Sequence, residues 1–595
     1  MKKSFFLIIF VIFSLTACTN ISESTSSSSA SSSISESTKT TSLETATETE
    51  TLEYSSSSSP NVFEIDNSVA RVTISSLSTG KIIYLSKTNP TSSEISSSYT
   101  RCVSSASGIS LSEGDTTSSS SGNSGSAGSS GSHGQKHSCT SILLNTALPQ
   151  IEESSSRNAV SSVSTVTVTA YTSDDIGSAT RSIYVDQDED ISNFAQETAT
   201  LRAVGQYCYV WVMSDNWTSS STASGEKINS SIASKIADNF DSMYDKIRNV
   251  FGEESNCLAA DTSLDFQIEM NSYSETGEMV NIIIYDIGKD YTDSSNSGSV
   301  VGYFYAKDYY YLSNPSSVYK YSNKGKYFYV DGYYAANYTS MVYSTLAHEF
   351  QHMIDFSVKS MENKKSSNTA TNEMKSMLCE DIMFSTLCEL DSSFSKDDSP
   401  VARLPVFNRR YAEVGLEYKS SNPEVYYSYA NNYAFGAWLL RNYGGVTLLN
   451  EIATNSYVNI SSILNALSTT GAAATTMEEL LKEYTVACVI SSEDSGFAKE
   501  LSDSELTLND ITYSLESIDL WNLSTALPET YSECKNTTTY YKFDGPYFYA
   551  YDSQIELRPY GITLQKIGTT TDTEVTINFN TTSISSSQKM YLIIE

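Results

Sequence analysis

The chain has 595 residues and a formal charge of −33, from 70 acidic against 37 basic side chains. A field of that sign repels phosphate backbones and argues against nucleic acid as a partner. With 39% apolar and 11% aromatic residues the chain is not wholly disordered, and its length allows two or three domains, each with its own core.

Lys2 and Lys3 precede an apolar run, Phe5 to Phe13, that is too short to span a bilayer as a mature helix. Leu15-Thr16-Ala17-Cys18 follows and resembles a bacterial lipobox. Residues 1–17 therefore read as a lipoprotein signal peptide, and Cys18 as the acylated residue that would tether the chain to a membrane of the cell envelope. Of nine cysteines, the eight that remain are an even number, as suits an exported, oxidising setting, but they lie far apart. Residues 18–60 are nearly all Ser, Thr and Glu and read as a disordered tether.

Alternating runs at Ala70 to Ile74, Lys81 to Leu85 and Val163 to Tyr171 predict half-buried strands. Residues 61–190 read as a β domain holding a Ser/Gly-rich loop from Ser104 to Ser138. His133 and His137 lie four apart in that loop, but without helix formers around them a metal pair is not expected there. Residues 191–500 change character. Leu201 to Val212 is strand-like, and Ile228, Ile232, Ile236, Phe240, Tyr244, Ile247 and Phe251 recur at helical spacing before a capping Gly252. Met279 to Ile287, Val300 to Ala306 and Tyr327 to Asp331 predict strands. Helices are expected at about 339–357 and 372–391, then a helical stretch from Ala430 to about Ser491. Residues 501–595 return to strand patterns, such as Val575 to Phe579 and Met590 to Ile594, and read as a C-terminal β domain.

The chemistry lies in Ala347-His348-Glu349-Phe350-Gln351-His352. On a helix, positions four apart face the same way, so both imidazoles can reach one ion. Val342, Leu346, Phe350 and Ile354 form a second stripe that supplies a buried face. Glu349 lies beside the ion, placed to take a proton from a metal-activated water. The chain has only four histidines. With His133 and His137 in the polar loop, a third ligand should be a carboxylate. Glu373, 21 residues after His352, is the leading candidate, with Glu380 and Glu362 as competitors. Glu380 and Asp381, two turns past Glu373, are candidates for orienting a metal-bound imidazole through its other nitrogen. The Gly302-Tyr303-Phe304 strand is a candidate edge for pairing with an extended substrate.

The string AHEFQHMIDF followed by NExxSxxxED resembles the hyicolysin family of gluzincin zinc metallopeptidases, and more distantly thermolysin. The resemblance covers about 200–450, taking in ATLRAVGQYCYVWV, NVFG, NIIIYDI and VVGYF; the tryptophan often found before the Asn-Glu pair is absent, with Thr369 to Thr371 there instead. It implies a zincin-type catalytic domain of mixed sheet, active-site helices and a helical lower subdomain; with the N- and C-terminal β domains read from strand patterning on either side, the chain is expected to be α+β. It also implies one Zn2+ on His348, His352 and Glu373, with Glu349 as base. No histidine remains after the motif to stabilise an oxyanion, and Tyr429-Ala430-Asn431-Asn432-Tyr433 resembles the segment that presents a tyrosine in related enzymes. Tyr433 is the candidate and Tyr429 the reserve. The expected function is zinc-dependent hydrolysis of extracellular proteins or peptides. The competing reading is a surface adhesin or binding lipoprotein that uses the same scaffold.

Overall fold

The apolar runs of the middle third assemble a mixed six-stranded sheet. The computed structural model describes residues 42–58, 60–115, 164–188, 193–260, 267–271, 278–292, 300–312, 317–417, 424–490, 496–534 and 543–595. The lipobox with Cys18, and His133 and His137, lie outside them. Across the sheet the strands run Gly302–Phe304, Tyr327–Asp331, Val280–Tyr285, Cys208–Met213, Phe194–Val204 and Thr180–Asp186. The three central strands are parallel, and both edges are antiparallel. Central strands buried on both faces should read as continuous apolar runs, and CYVWVM and VNIIIY do. The expected single strand from Leu201 to Val212 is two strands of a hairpin. Its turn is held by Asp241, which accepts the N–H groups of Gln206 and Tyr207.

Helix α1, Ser230–Phe251, packs on one face of this sheet with Ile236, Phe240 and Ile247 fully buried. Asn229 caps it by accepting the Ile232 N–H at 3.1 Å, and Gly252 ends it at φ 96°. An Asn229→Ala chain should lose about 1 kcal/mol in a denaturant titration, the usual worth of an N-cap side chain.

Helix α2, Thr339–Asp355, carries the histidines, and α3, Thr369–Ile382, carries Glu373. Every residue of α2 from Met341 to Asp355 is buried, so the helix is not amphipathic towards solvent as its apolar stripe suggested. Its polar face is turned into the protein, where the site lies. α2 runs on through a wide π turn, Phe356–Glu362. A buried ion pair, Lys375 with Asp355, ties α3 back to it. Helix α4, Glu424–Tyr443, closes on α3 at Gly436, where a Cβ would stand 2.8 Å from Met374 Cγ. The expected helical stretch to about Ser491 continues as three more helices, Gly445–Thr454, Asn459–Thr470 and Met477–Val489.

The two flanks do not form separate β domains. One sheet orders Tyr549–Ala550, Ile562–Thr570, Ile82–Thr88, Lys589–Ile594 and Asn61–Ile65, with Ile109–Leu111 also on Ile562–Thr570. The other orders Glu48–Glu53, Val69–Ser75, Val575–Phe579 and Val103–Ser107. Val72, Ile74, Ile83, Leu85, Ile577 and Leu592 share one core between them. Strands from the two ends alternate, so neither flank can bury its apolar face alone. Period two tells which face is buried but not which strand is the partner. Two boundaries move as well. Glu48–Glu53 pairs with Val69–Ser75, so the expected tether is already structured there. Thr180–Asp186 belongs to the central sheet, and Ser164–Thr167 pairs with Gln267–Asn271.

Candidate metal centre

His348, Glu349 and His352 come together because α2 puts them on one buried face, and each offers a ligand atom within 4.8 Å of the others. The imidazole rings stand 4.7 Å apart, edge to face. Glu373 reaches across from α3: one carboxylate oxygen lies 3.2 Å from His348 Nε2, and the other 3.5 Å from His352 Nε2. Glu349 is the nearer group along the chain. However, its Oε2 accepts the Phe304 backbone N–H at 2.8 Å, whereas both Glu373 oxygens face the imidazoles. Glu373 is the carboxylate that fits the place of a third ligand.

The far nitrogens of both rings are held. His348 Nδ1 lies 2.7 Å from Glu380 Oε1, and the other Glu380 oxygen accepts from the Ser344 hydroxyl at 2.6 Å. His352 Nδ1 lies 3.0 Å from Ser376 Oγ, whose hydroxyl donates to the Gln351 side-chain oxygen. A serine hydroxyl that donates to Gln351 can accept from His352 Nδ1, and the Glu380 carboxylate accepts from His348 Nδ1, so each Nε2 is turned to a Glu373 oxygen. Partners of this kind fix ring orientation and raise ligand basicity.

The electrostatics fit a cation. Burial pushes the Glu349 carboxyl up to about 7, against the pull of both imidazoles and the Phe304 N–H. Burial also works to raise Glu373, but His352 and His348 outweigh it and hold that carboxyl well below the usual range. For His348, burial opposes the charged ring, yet Glu373 and Glu380 hold its pKa well above the ordinary value. Three buried carboxyl groups around two imidazoles favour positive charge between them. Two imidazole nitrogens and one carboxylate suit a transition-metal ion rather than the all-oxygen set of calcium or magnesium.

The sequence model of the family Peptidase M30 matches residues 195–544, more than half of the chain. The chain belongs to the Peptidase M30 family. No curated protein matches it. Membership makes the chain a metallopeptidase, a hydrolase of protein or peptide substrates, and its mixed helices and sheets accord with that.

Against this M30 frame the remaining candidates divide. Glu362 is exposed at the end of the π turn, away from the histidines. Glu380 meets His348, but Asp381 does not orient an imidazole; it holds the buried Arg441 guanidinium at 3.1 and 3.4 Å. Consecutive helical residues point about 100° apart, so only one of the two can face α2. Tyr433, fully buried, faces Asp381 and Arg441, and burial with Asp381 raises its hydroxyl well above the ordinary value. That hydroxyl is buried without a hydrogen-bond partner among the described residues. Tyr429 is buried with the Arg403 guanidinium 5.1 Å from its ring centroid.

Sequence reasoning missed Ser376, Gln351 and the Phe304 N–H. Ser376 was legible in principle, three residues after Glu373 and so on the same side of α3. The Phe304 contact arises only when the edge strand is laid beside α2. Gly302 permits that approach, because a Cβ there would stand 2.7 Å from the Tyr329 carbonyl oxygen and 2.8 Å from Thr345 Cγ2. A Gly302→Val chain should therefore lose at least about tenfold in peptide cleavage, since a 1 Å misplacement at a site costs about 100-fold. The comparison is of cleavage rates at matched bound metal.

Proposed function

We propose that the chain is a zinc-dependent endopeptidase with a zincin-type, gluzincin catalytic centre, carried by a lipoprotein of a bacterial cell envelope. His348, His352 and Glu373 would hold one Zn2+, and Glu349 would serve as the general base. When bound, the ion polarises the scissile carbonyl and lowers the pKa of a water towards about 7. The chain's own groups do the rest. Glu349 takes the proton from the attacking water and passes it to the leaving amine. Glu380 and Ser376 keep both imidazoles turned so that Nε2 faces inward. Burial of the whole cluster strengthens each of these interactions.

One observation carries the reading: the two oxygens of Glu349 differ. Oε2 is fixed by the Phe304 N–H, while Oε1 is buried with no hydrogen-bond partner. A buried carboxyl with one oxygen fixed and the other free is placed to take a proton from a water beside it. An adhesin on the same scaffold would have no use for it. The lipid anchor rests on Cys18 and its preceding residues, and extracellular substrates follow from export. Cleavage of casein or gelatin by the zinc-loaded chain tests the reading. Activity that is lost to a chelator and restored by zinc is expected, and a zinc-loaded chain that cleaves no protein or peptide overturns it. Incorporation of a radiolabelled fatty acid at Cys18, absent from Cys18→Ser, tests the anchor.

A further inference from the structure

The edge strand that touches Glu349 is only three residues long and pairs on one side. Val301 accepts the Asp331 N–H at 2.9 Å, and the alternation of an antiparallel ladder turns the Phe304 N–H outward, to Glu349. So short an edge should be among the most easily displaced parts of a sheet. It is pinned from behind. Tyr303 points to the opposite face from Phe304, into a separate core where it is fully buried. Its hydroxyl lies 2.8 Å from that of Tyr285, and its ring stacks on Tyr329 with centroids 4.5 Å apart. The Tyr329 hydroxyl donates to Asp308 Oδ2 at 2.7 Å, and Asp308 Oδ1 accepts from Lys307 Nζ at 2.7 Å and from the Asn323 N–H at 2.6 Å. Lys307 and Asp308 lie in the turn Ala306–Tyr309, directly after the strand, so one network grips the strand and the chain that leaves it.

A fully buried ion pair is weak evidence for stability, since well-packed apolar side chains of like volume commonly do as well. A fully bonded buried polar network instead fixes one arrangement of its parts. We propose that Tyr303, Tyr285, Tyr329 and Asp308 are positioning residues for the reaction. They set the register and height of the edge strand, so that the Phe304 N–H holds Glu349 Oε2 and leaves Oε1 to take the proton. The inference rests on Glu349 acting as base. It also means the Phe304 N–H is committed to the enzyme, which leaves the Gly302 N–H and carbonyl and the Phe304 carbonyl on the outward side of the strand for an extended substrate.

The test uses the full zinc-loaded chain and the single-hydroxyl deletions Tyr303→Phe and Tyr329→Phe, which keep ring volume and leave Lys307 paired. Asp308→Asn is avoided because it strands a buried cation. Both variants should lose kcat by about tenfold, equivalent to about 1.4 kcal/mol of transition-state stabilisation, with KM within about twofold. Zinc content should match the unaltered chain, and any fall in thermal midpoint from the lost buried hydrogen bonds should leave both variants fully folded at the assay temperature. Wild-type kcat in both variants overturns the proposal. So does a loss that follows the unfolded fraction or appears in KM alone, since that marks a structural or binding role. If the unaltered zinc-loaded chain cleaves nothing, the parent reading falls and this one with it.

Discussion

Glu349→Gln is expected to lower peptide cleavage by roughly 100- to 10,000-fold while leaving the zinc content at that of the unaltered chain. Glutamine keeps a side-chain oxygen that can accept the Phe304 N–H, so the side chain stays in place and only the proton carrier is lost. The ligands His348, His352 and Glu373 are untouched. A further signature belongs to the metal-stripped chain. Burial raises the Glu349 carboxyl from 4.5 to about 7, so its ionised form is disfavoured in the folded state. The sign follows from linkage: a carboxyl with a raised folded pKa lowers stability progressively as pH climbs from the unfolded value to the folded one. Chelator-treated wild type should therefore lose stability relative to Glu349→Gln between pH 4.5 and about 7, and the gap should hold above that. Paired thermal melts across this range measure it.

Asp381→Ala should destabilise the fold by about 3–5 kcal/mol, since it strands the buried Arg441 guanidinium. Arg441 is held by Asp381 at two points and by the Glu516 carbonyl at 2.6 and 3.0 Å. It thereby ties α3, through α4, to the segment after the helices. Glu380→Ala, one residue away, should behave oppositely. It leaves that anchor intact and frees His348 Nδ1, and its expected effect is a fall in zinc affinity of roughly 10- to 100-fold. Denaturant titration and competitive zinc titration of the two variants separate the roles. If both chiefly lose zinc, Asp381 acts on the metal centre after all.

The neighbouring pair Glu380 and Asp381 also shows how far the sequence could be read. Spacing from Glu373 puts both two turns along α3, and only the packing of α2 on one side and α4 on the other decides which faces an imidazole. The HExxH helix was legible because its spacing is a local property of one helix. So were α1, with its Gly cap, and the apolar central strands. The shared β module was not, because strand patterning carries no partner label and Lys589–Ile594 pairs with two strands some 500 residues earlier in the chain. Tyr433 lies on a helix that resembles a known segment, but spacing does not give the direction of its hydroxyl, which is buried without a hydrogen-bond partner among the described residues. Cysteine number alone carried little: six of the nine are free thiols among the described residues, and Cys208, Cys379 and Cys488 are wholly buried.

Metal analysis of the purified, chelator-free chain beside His348→Ala, His352→Ala and Glu373→Ala tests the central claim most directly. The account predicts one zinc per unaltered chain, little or none in either histidine variant and strongly weakened binding in Glu373→Ala, with all four chains folded. Zinc retained at full stoichiometry without either histidine would contradict it.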